Sequence, residues 1–154
     1  MDLYGGMQMI VIKSGDILDS AEDIICHQCN VFGYMSGGVA RQLALQYPGL
    51  EKEYSEFCKI YNSDYNLLKG KVFKIMLQGK FIMNMFSQKP NFDTDYEAMK
   101  KALIYIKKWA ENNNLSIAMP YGIGCGIANG DWNKVYEIIE EVFSDYEVSL
   151  YRLK

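Results

Sequence analysis

Short apolar runs alternate along this chain with longer stretches in which apolar residues recur every three or four positions. Met9-Ile10-Val11-Ile12-Lys13 reads as a strand closed by Ser14-Gly15-Asp16, and Asp23-Ile24-Ile25-Cys26-His27-Gln28 as a second. Val39 to Tyr47 carries Val39, Leu43 and Tyr47 on one stripe, which predicts a helix. Pro48 suits the start of another helix, running to about Tyr61 with Leu50, Tyr54, Phe57 and Cys58 inward. Val72 to Leu77 and Phe81 to Phe86 flank Gln78-Gly79-Lys80, a hairpin signal. Tyr96 to Glu111 repeats at helical spacing (Met99, Leu103, Ile106, Ala110) and stops at Asn112-Asn113-Asn114. A strand over 115–119, a helix from Trp132 to Phe143 and a strand over 148–151 complete the order.

Strands alternating with helices predict a three-layer α/β/α fold around a central mixed sheet of about six strands. The 154 residues are expected to form one domain, with Met1 to Met7 unassigned and frayed. In such sheets ligands bind beyond the carboxyl ends of the strands. Three loops leave strand ends there: Gly15-Asp16-Ile17, Asn30 to Val39, and Tyr121 to Asp131.

Tyr121-Gly122-Ile123-Gly124-Cys125-Gly126-Ile127-Ala128-Asn129-Gly130-Asp131 is the most informative of the three. Strand, glycine-rich loop, helix is an order in which backbone N–H groups and a helix N-terminus meet phosphate. The spacing is neither GxGxxG nor a P-loop ending in GK[ST], so both fingerprints are excluded. An ordinary flexible connection is the alternative reading of this segment alone.

Composition narrows the classes. Apolar residues make up 49% and charged residues 23%, as in soluble globular proteins. A net charge of −3 argues against strong, sequence-independent nucleic-acid binding. With no membrane-length apolar run and no secretory signal pattern, a cytoplasmic protein without membrane attachment is expected. Cys26-His27-Gln28-Cys29 invites a zinc or redox reading, but His27 is the only histidine and the pair sits in a strand. Buried, reduced thiols and no metal are expected.

Taken in order, Gly15-Asp16-Ile17, then Cys26-His27-Gln28-Cys29-Asn30 leading to Gly37-Gly38-Val39, then Pro120 to Ile127 resemble a macrodomain. The likeness extends from about Ile10 to Leu153, and within the family is greatest to the branch of ADP-ribose 1''-phosphate phosphatases and terminal ADP-ribose glycohydrolases. The resemblance implies that Asp16 accepts a hydrogen bond from the adenine amine, with the Ile17 N–H beside it. It implies Asn30 near the distal ribose, Gly37, Gly38 and Val39 at the diphosphate, and Gly122, Ile123, Gly124, Cys125, Gly126 and Ile127 as the second phosphate loop. Met85-Phe86-Ser87-Gln88 is placed at the same rim, flanking the adenosine.

The chain departs from that branch where its glycohydrolases carry a lysine and an aspartate: Gln88 and Ala128 hold those positions. Lys89, one residue on, points away if the strand continues. Candidates to orient water or move a proton are His27, Asn30 and Asp131, the last of which also suits a helix cap. The expected function is binding of ADP-ribose and hydrolysis of ADP-ribose 1''-phosphate, or a related conjugate, at the distal ribose, by a monomer without cofactor. A non-catalytic ADP-ribose reader and a hydrolase removing ADP-ribose from protein or nucleic acid are the alternatives.

Overall fold

The structure is a computed structural model describing residues 9–153; Met1 to Met7 lie outside the described residues. Its strands are β1 (Ile10–Ser14), β2 (Ile24–Cys29), β3 (Val72–Leu77), β4 (Lys80–Phe86), β5 (Ile117–Pro120) and β6 (Val148–Arg152). They form one six-stranded sheet in the order β1-β6-β5-β2-β4-β3. Each neighbouring pair is parallel except β3 with β4, the hairpin turning at Gln78 and Gly79. The helices are α1 (Gly38–Gln46), α2 (Leu50–Ile60), α3 (Tyr65–Leu68), α4 (Tyr96–Asn113) and α5 (Trp132–Val142). This is the mixed α/β sheet expected.

Alternation along the central strands sorts the core into two layers. Ile24, Cys26, Met83, Met85, Ile117 and Met119 face α4 and α5, packing on Met99, Leu103, Ile106 and Ile139. Ile25, Cys29, Ile82, Phe86 and Ala118 face the other way, onto Leu43, Leu50, Tyr54 and Leu68 of α1, α2 and α3. Covering both faces of β2, β4 and β5 explains why these strands read as nearly continuous apolar runs. Each fully buried Leu, Ile or Phe side chain contributes about 1.5–3 kcal/mol.

Two elements differ from expectation. Pro48 does not open α2; Gly49 caps it in the left-handed region (φ 96°), and the helix begins at Leu50. The single turn α3 carries no periodic signal, being a local structure nucleated by Asp64, whose carboxylate accepts the Asn66 N–H at 2.9 Å. Period two also decides the CxxC question. Cys26 and Cys29 are three residues apart in β2 and therefore lie on opposite faces of the sheet. They cannot share a metal or close a disulfide, and burial pushes both thiols well above their ordinary pKa.

Candidate functional site

Because β1, β6, β5, β2 and β4 run parallel, their carboxyl ends meet along one edge of the sheet. A cavity of about 530 Å³ opens there, between the loops that follow β2, β5 and β4. Gly37, Gly38 and Val39 form one wall, Gly122, Gly124, Gly126 and Ile127 the other, and Gln88 and Phe92 close the far end. Among the described residues, no Asp, Glu, Lys or Arg lines it. An anion here meets backbone dipoles and neutral polar side chains rather than a fixed positive charge.

Those dipoles are available. The N–H groups of Gly38 and Val39 head α1, where helix geometry supplies no partner, and no side chain caps that end. In the glycine loop the N–H groups alternate in use. Ile123 donates to Pro120 O at 3.1 Å and Cys125 to Gly122 O at 2.9 Å. Gly122, Gly124, Gly126 and Ile127 donate to nothing among the described residues. Of the predicted loop residues, Ile123 lines the cavity and Cys125 does not; the N–H groups of both shape the turn, and the Ile123 side chain packs in the α4/α5 core. Gly122 and Gly124 adopt φ of 84° and 78°, a region costly for any residue with a Cβ.

A polar network behind the loop holds it in place. Thr94 Oγ1 donates to Gly124 O at 2.6 Å, and its N–H donates to Ala128 O at 3.0 Å. Gly130 N–H closes on the same Gly124 carbonyl at 2.8 Å. Gln28 Nε2 bonds Ser87 O and Oγ at 3.0 Å and reaches Thr94 Oγ1 at 3.3 Å. Thr94 was missed in the sequence, as was the contact joining it to Gln28 and Ser87. Only the strand alternation placing Gln28 on the Cys26 face gave a signal.

The predicted catalytic side chains are engaged elsewhere. His27 is 1% exposed, and its Nε2 lies 2.6 Å from Asn84 Oδ1, its register partner on β4. The Asn84 amide nitrogen donates to Phe73 O, so its Oδ1 accepts, and His27 carries its proton on Nε2. The Nδ1 lone pair is buried with no partner among the described residues. Burial lowers the imidazole pKa against the opposing hydrogen bond to Asn84. His27 thus borders the cavity from a buried position, with its Nε2 proton committed to Asn84 and burial favouring the neutral imidazole. Asn30 Oδ1 accepts from Phe32 N–H at 2.8 Å and Tyr54 OH at 2.6 Å, while Nδ2 donates to Tyr34 O at 3.2 Å. It folds its own loop while lining the cavity, with one amide hydrogen left over. Asp131 caps α5 through Asn133 N–H at 2.9 Å and does not line the cavity.

Further corrections concern the rim. Met85, Phe86 and Ser87 are fully buried and flank nothing outside the core. Strand β4 ends at Phe86, and Lys89 stands exposed in the turn that follows, outside the cavity lining. Gln88 does line it, with its backbone bridged to Thr94. Asp16 follows β1 on the same edge, outside the cavity proper. Its Oδ1 caps a turn of 3-10 helix at Leu18 N–H, 2.9 Å away. The Ile17 side chain is buried while its N–H donates to nothing among the described residues.

No family model matches the chain. Over 60 residues it is 45% identical to an ADP-ribose 1''-phosphate phosphatase of Saccharomyces cerevisiae (strain YJM789), a match spanning 38% of this chain and about a third (34%) of that one. An ADP-ribose glycohydrolase of Bos taurus is 27% identical over 139 residues, 88% of this chain and 82% of its own. The macrodomain of Mycobacterium tuberculosis DarG superposes with a TM-score of 0.79 at 27% identity, over 96% of this chain and 98% of that one. The chain has the macrodomain fold.

Proposed function

We propose that this macrodomain binds ADP-ribose along the carboxyl edge of its sheet and hydrolyses ADP-ribose 1''-phosphate, or a related conjugate, at the distal ribose. The observation that carries this reading is a cavity free of charged side chains, walled by two glycine loops whose N–H groups are unused. A diphosphate fits such walls, each charge-assisted bond contributing about 1.5–3 kcal/mol. The adenine belongs at Asp16 and the Ile17 N–H, and the distal ribose near Asn30 and Gln88. The named relatives support the substrate class.

With the His27 Nε2 proton committed to Asn84 and Asp131 capping a helix, rate acceleration rests on positioning and on backbone dipoles aimed at the leaving phosphate. The lysyl-adduct route has no lysine in the cavity to start from. The absence of lysine, arginine and carboxylates from the lining favours the second reading, a module that binds ADP-ribose without chemistry. Inorganic phosphate released from ADP-ribose 1''-phosphate, measured per site and over time, decides: multiple turnovers establish the hydrolase. Tight ADP-ribose binding with no phosphate release or conjugate cleavage establishes the reader.

We place the protein in the cytoplasm as a monomer, without strong nucleic-acid binding. Among the described residues no helix is long and apolar enough to cross a membrane, and no cluster of ligating side chains suited to a metal ion is present.

A further inference from the structure

Three aromatic side chains stand at the far end of the cavity. Phe32, Tyr34 and Phe92 are 40%, 51% and 43% exposed, although large apolar groups in water forgo the burial that stabilises a fold. Phe32 stacks with Tyr34 at 6.2 Å between ring centres and leans on Phe92 at 5.8 Å. Tyr34 and Phe92 line the same cavity as the glycine loops.

Their backbones are pinned. Asn30 ties down the segment bearing Phe32 and Tyr34 through its bonds to Phe32 N–H and Tyr34 O. Phe92 sits at φ 75°, a strained conformation for an aromatic residue, held by its N–H on Lys89 O at 2.7 Å and by the Lys89 N–H on Asp93 O at 2.8 Å. Strain retained at a ligand cavity, where glycine would be relaxed, is an observed outlier from which a role can be inferred.

Strand order supplies the geometry. Along the edge, Asp16 follows β1, the glycine loop β5, Asn30 and Gly37 β2, and Gln88 and Phe92 β4. A ligand laid with adenine at Asp16 and diphosphate between the glycine loops therefore directs the anomeric carbon of its distal ribose at the aromatic group. This step rests on the ADP-ribose reading above. A terminal phosphate at that carbon finds no Lys or Arg in the cavity lining, whereas a flat ring finds exposed π faces.

We propose that the aromatic end is a subsite for a planar ring carried on the distal ribose, so that the cavity accepts a 5'–5' dinucleotide. Two ring chemistries meet this description, a cationic pyridinium and a neutral purine, and they are separable. Calorimetry would compare ADP-ribose, NAD+ and diadenosine diphosphate on the same protein. At least one dinucleotide is expected to bind about tenfold more tightly than ADP-ribose, the scale of one stacked ring. An advantage for NAD+ alone assigns a cationic ring; an advantage for diadenosine diphosphate assigns stacking on any flat ring.

Phe92→Gly and Tyr34→Ala are expected to return the dinucleotide-to-ADP-ribose affinity ratio to about one. Phe92→Gly should keep the melting temperature, because glycine is at ease at this φ. Binding of ADP-ribose with no dinucleotide advantage, or an advantage that survives both substitutions, overturns the subsite alone. Failure of ADP-ribose itself to bind overturns the reading of the cavity and this inference with it.

Discussion

Gly124 and Gly126 stand two residues apart in one loop and face different constraints. A Cβ at Gly124 would lie 2.9 Å from Met99 Cε and 3.0 Å from Thr94 Oγ1, at φ 78°; one at Gly126 meets nothing within 4 Å. Bulk at Gly124 therefore presses on the fold itself, whereas bulk at Gly126 meets open space. Gly124→Ala should lower the melting temperature along with affinity. Gly126→Val should leave the melting temperature in place and weaken ADP-ribose binding by crowding the ligand-facing side of the loop. Thermal melts and calorimetry on the two proteins check this, and equal melting losses would contradict it. His27 yields a pH prediction. Its folded pKa lies below the ordinary value of 6.5, so below that pH the unfolded chain binds the extra proton and stability falls. The loss begins as pH drops through about 6.5 and grows by up to about 1.4 kcal/mol per unit until the folded pKa is reached. His27→Gln keeps a donor for Asn84 and should flatten the stability curve as pH falls below about 6.5. Denaturant titrations across that range would show it, and an unchanged slope would argue against a neutral buried imidazole.

Elements carry the division of labour around the loop. Thr94, one residue before the Asp95 cap of α4, fixes both the Gly124 and Ala128 carbonyls, so the segment leading into α4 holds the glycine loop from behind. Thr94→Val preserves shape, removes the hydroxyl and leaves Gly124 O with one donor fewer. Affinity for ADP-ribose should fall by about 1 kcal/mol, while Thr94→Ser should restore it. A serine protein no better than the valine one would show that the methyl, not the hydroxyl, matters. Asp131→Ala should cost about 1 kcal/mol of stability through the lost cap and leave phosphate release unaltered. Much of this level was legible beforehand. The strand and helix periodicities were clear because β2, β4 and β5 are covered on both faces and α4 and α5 on one. What escaped was side-chain company across long sequence separations: Gln28 with Thr94, His27 with Asn84, Tyr54 with Asn30. A lone polar residue in a sequence carries no mark of its partner, so the bonds of His27 and Asn30 were not legible, whereas the Asp131 cap, a contact two residues away, was. The turn α3 escaped for another reason, being too short to show a period.

At the scale of the whole molecule, parallel pairing brings Asp16, the two glycine loops and the aromatic end into one line on one edge. An acidic chain of net charge −3 there presents a cavity lined by no Asp, Glu, Lys or Arg among the described residues. The loops were legible as a set because glycines at strand ends are locally coded; the neutrality of the cavity was not, since it depends on which side chains the fold turns away. The most direct test is calorimetry with ADP-ribose on the unaltered protein and on Asp16→Asn. Asparagine keeps the oxygen that caps Leu18 N–H and replaces the free acceptor by a donor, so the fold survives and the adenine amine loses its partner. One-to-one binding, weakened by about 1–3 kcal/mol in Asp16→Asn with the melting temperature unchanged, is the predicted result. Absence of binding to the unaltered protein, or equal affinity in the two, would contradict the account.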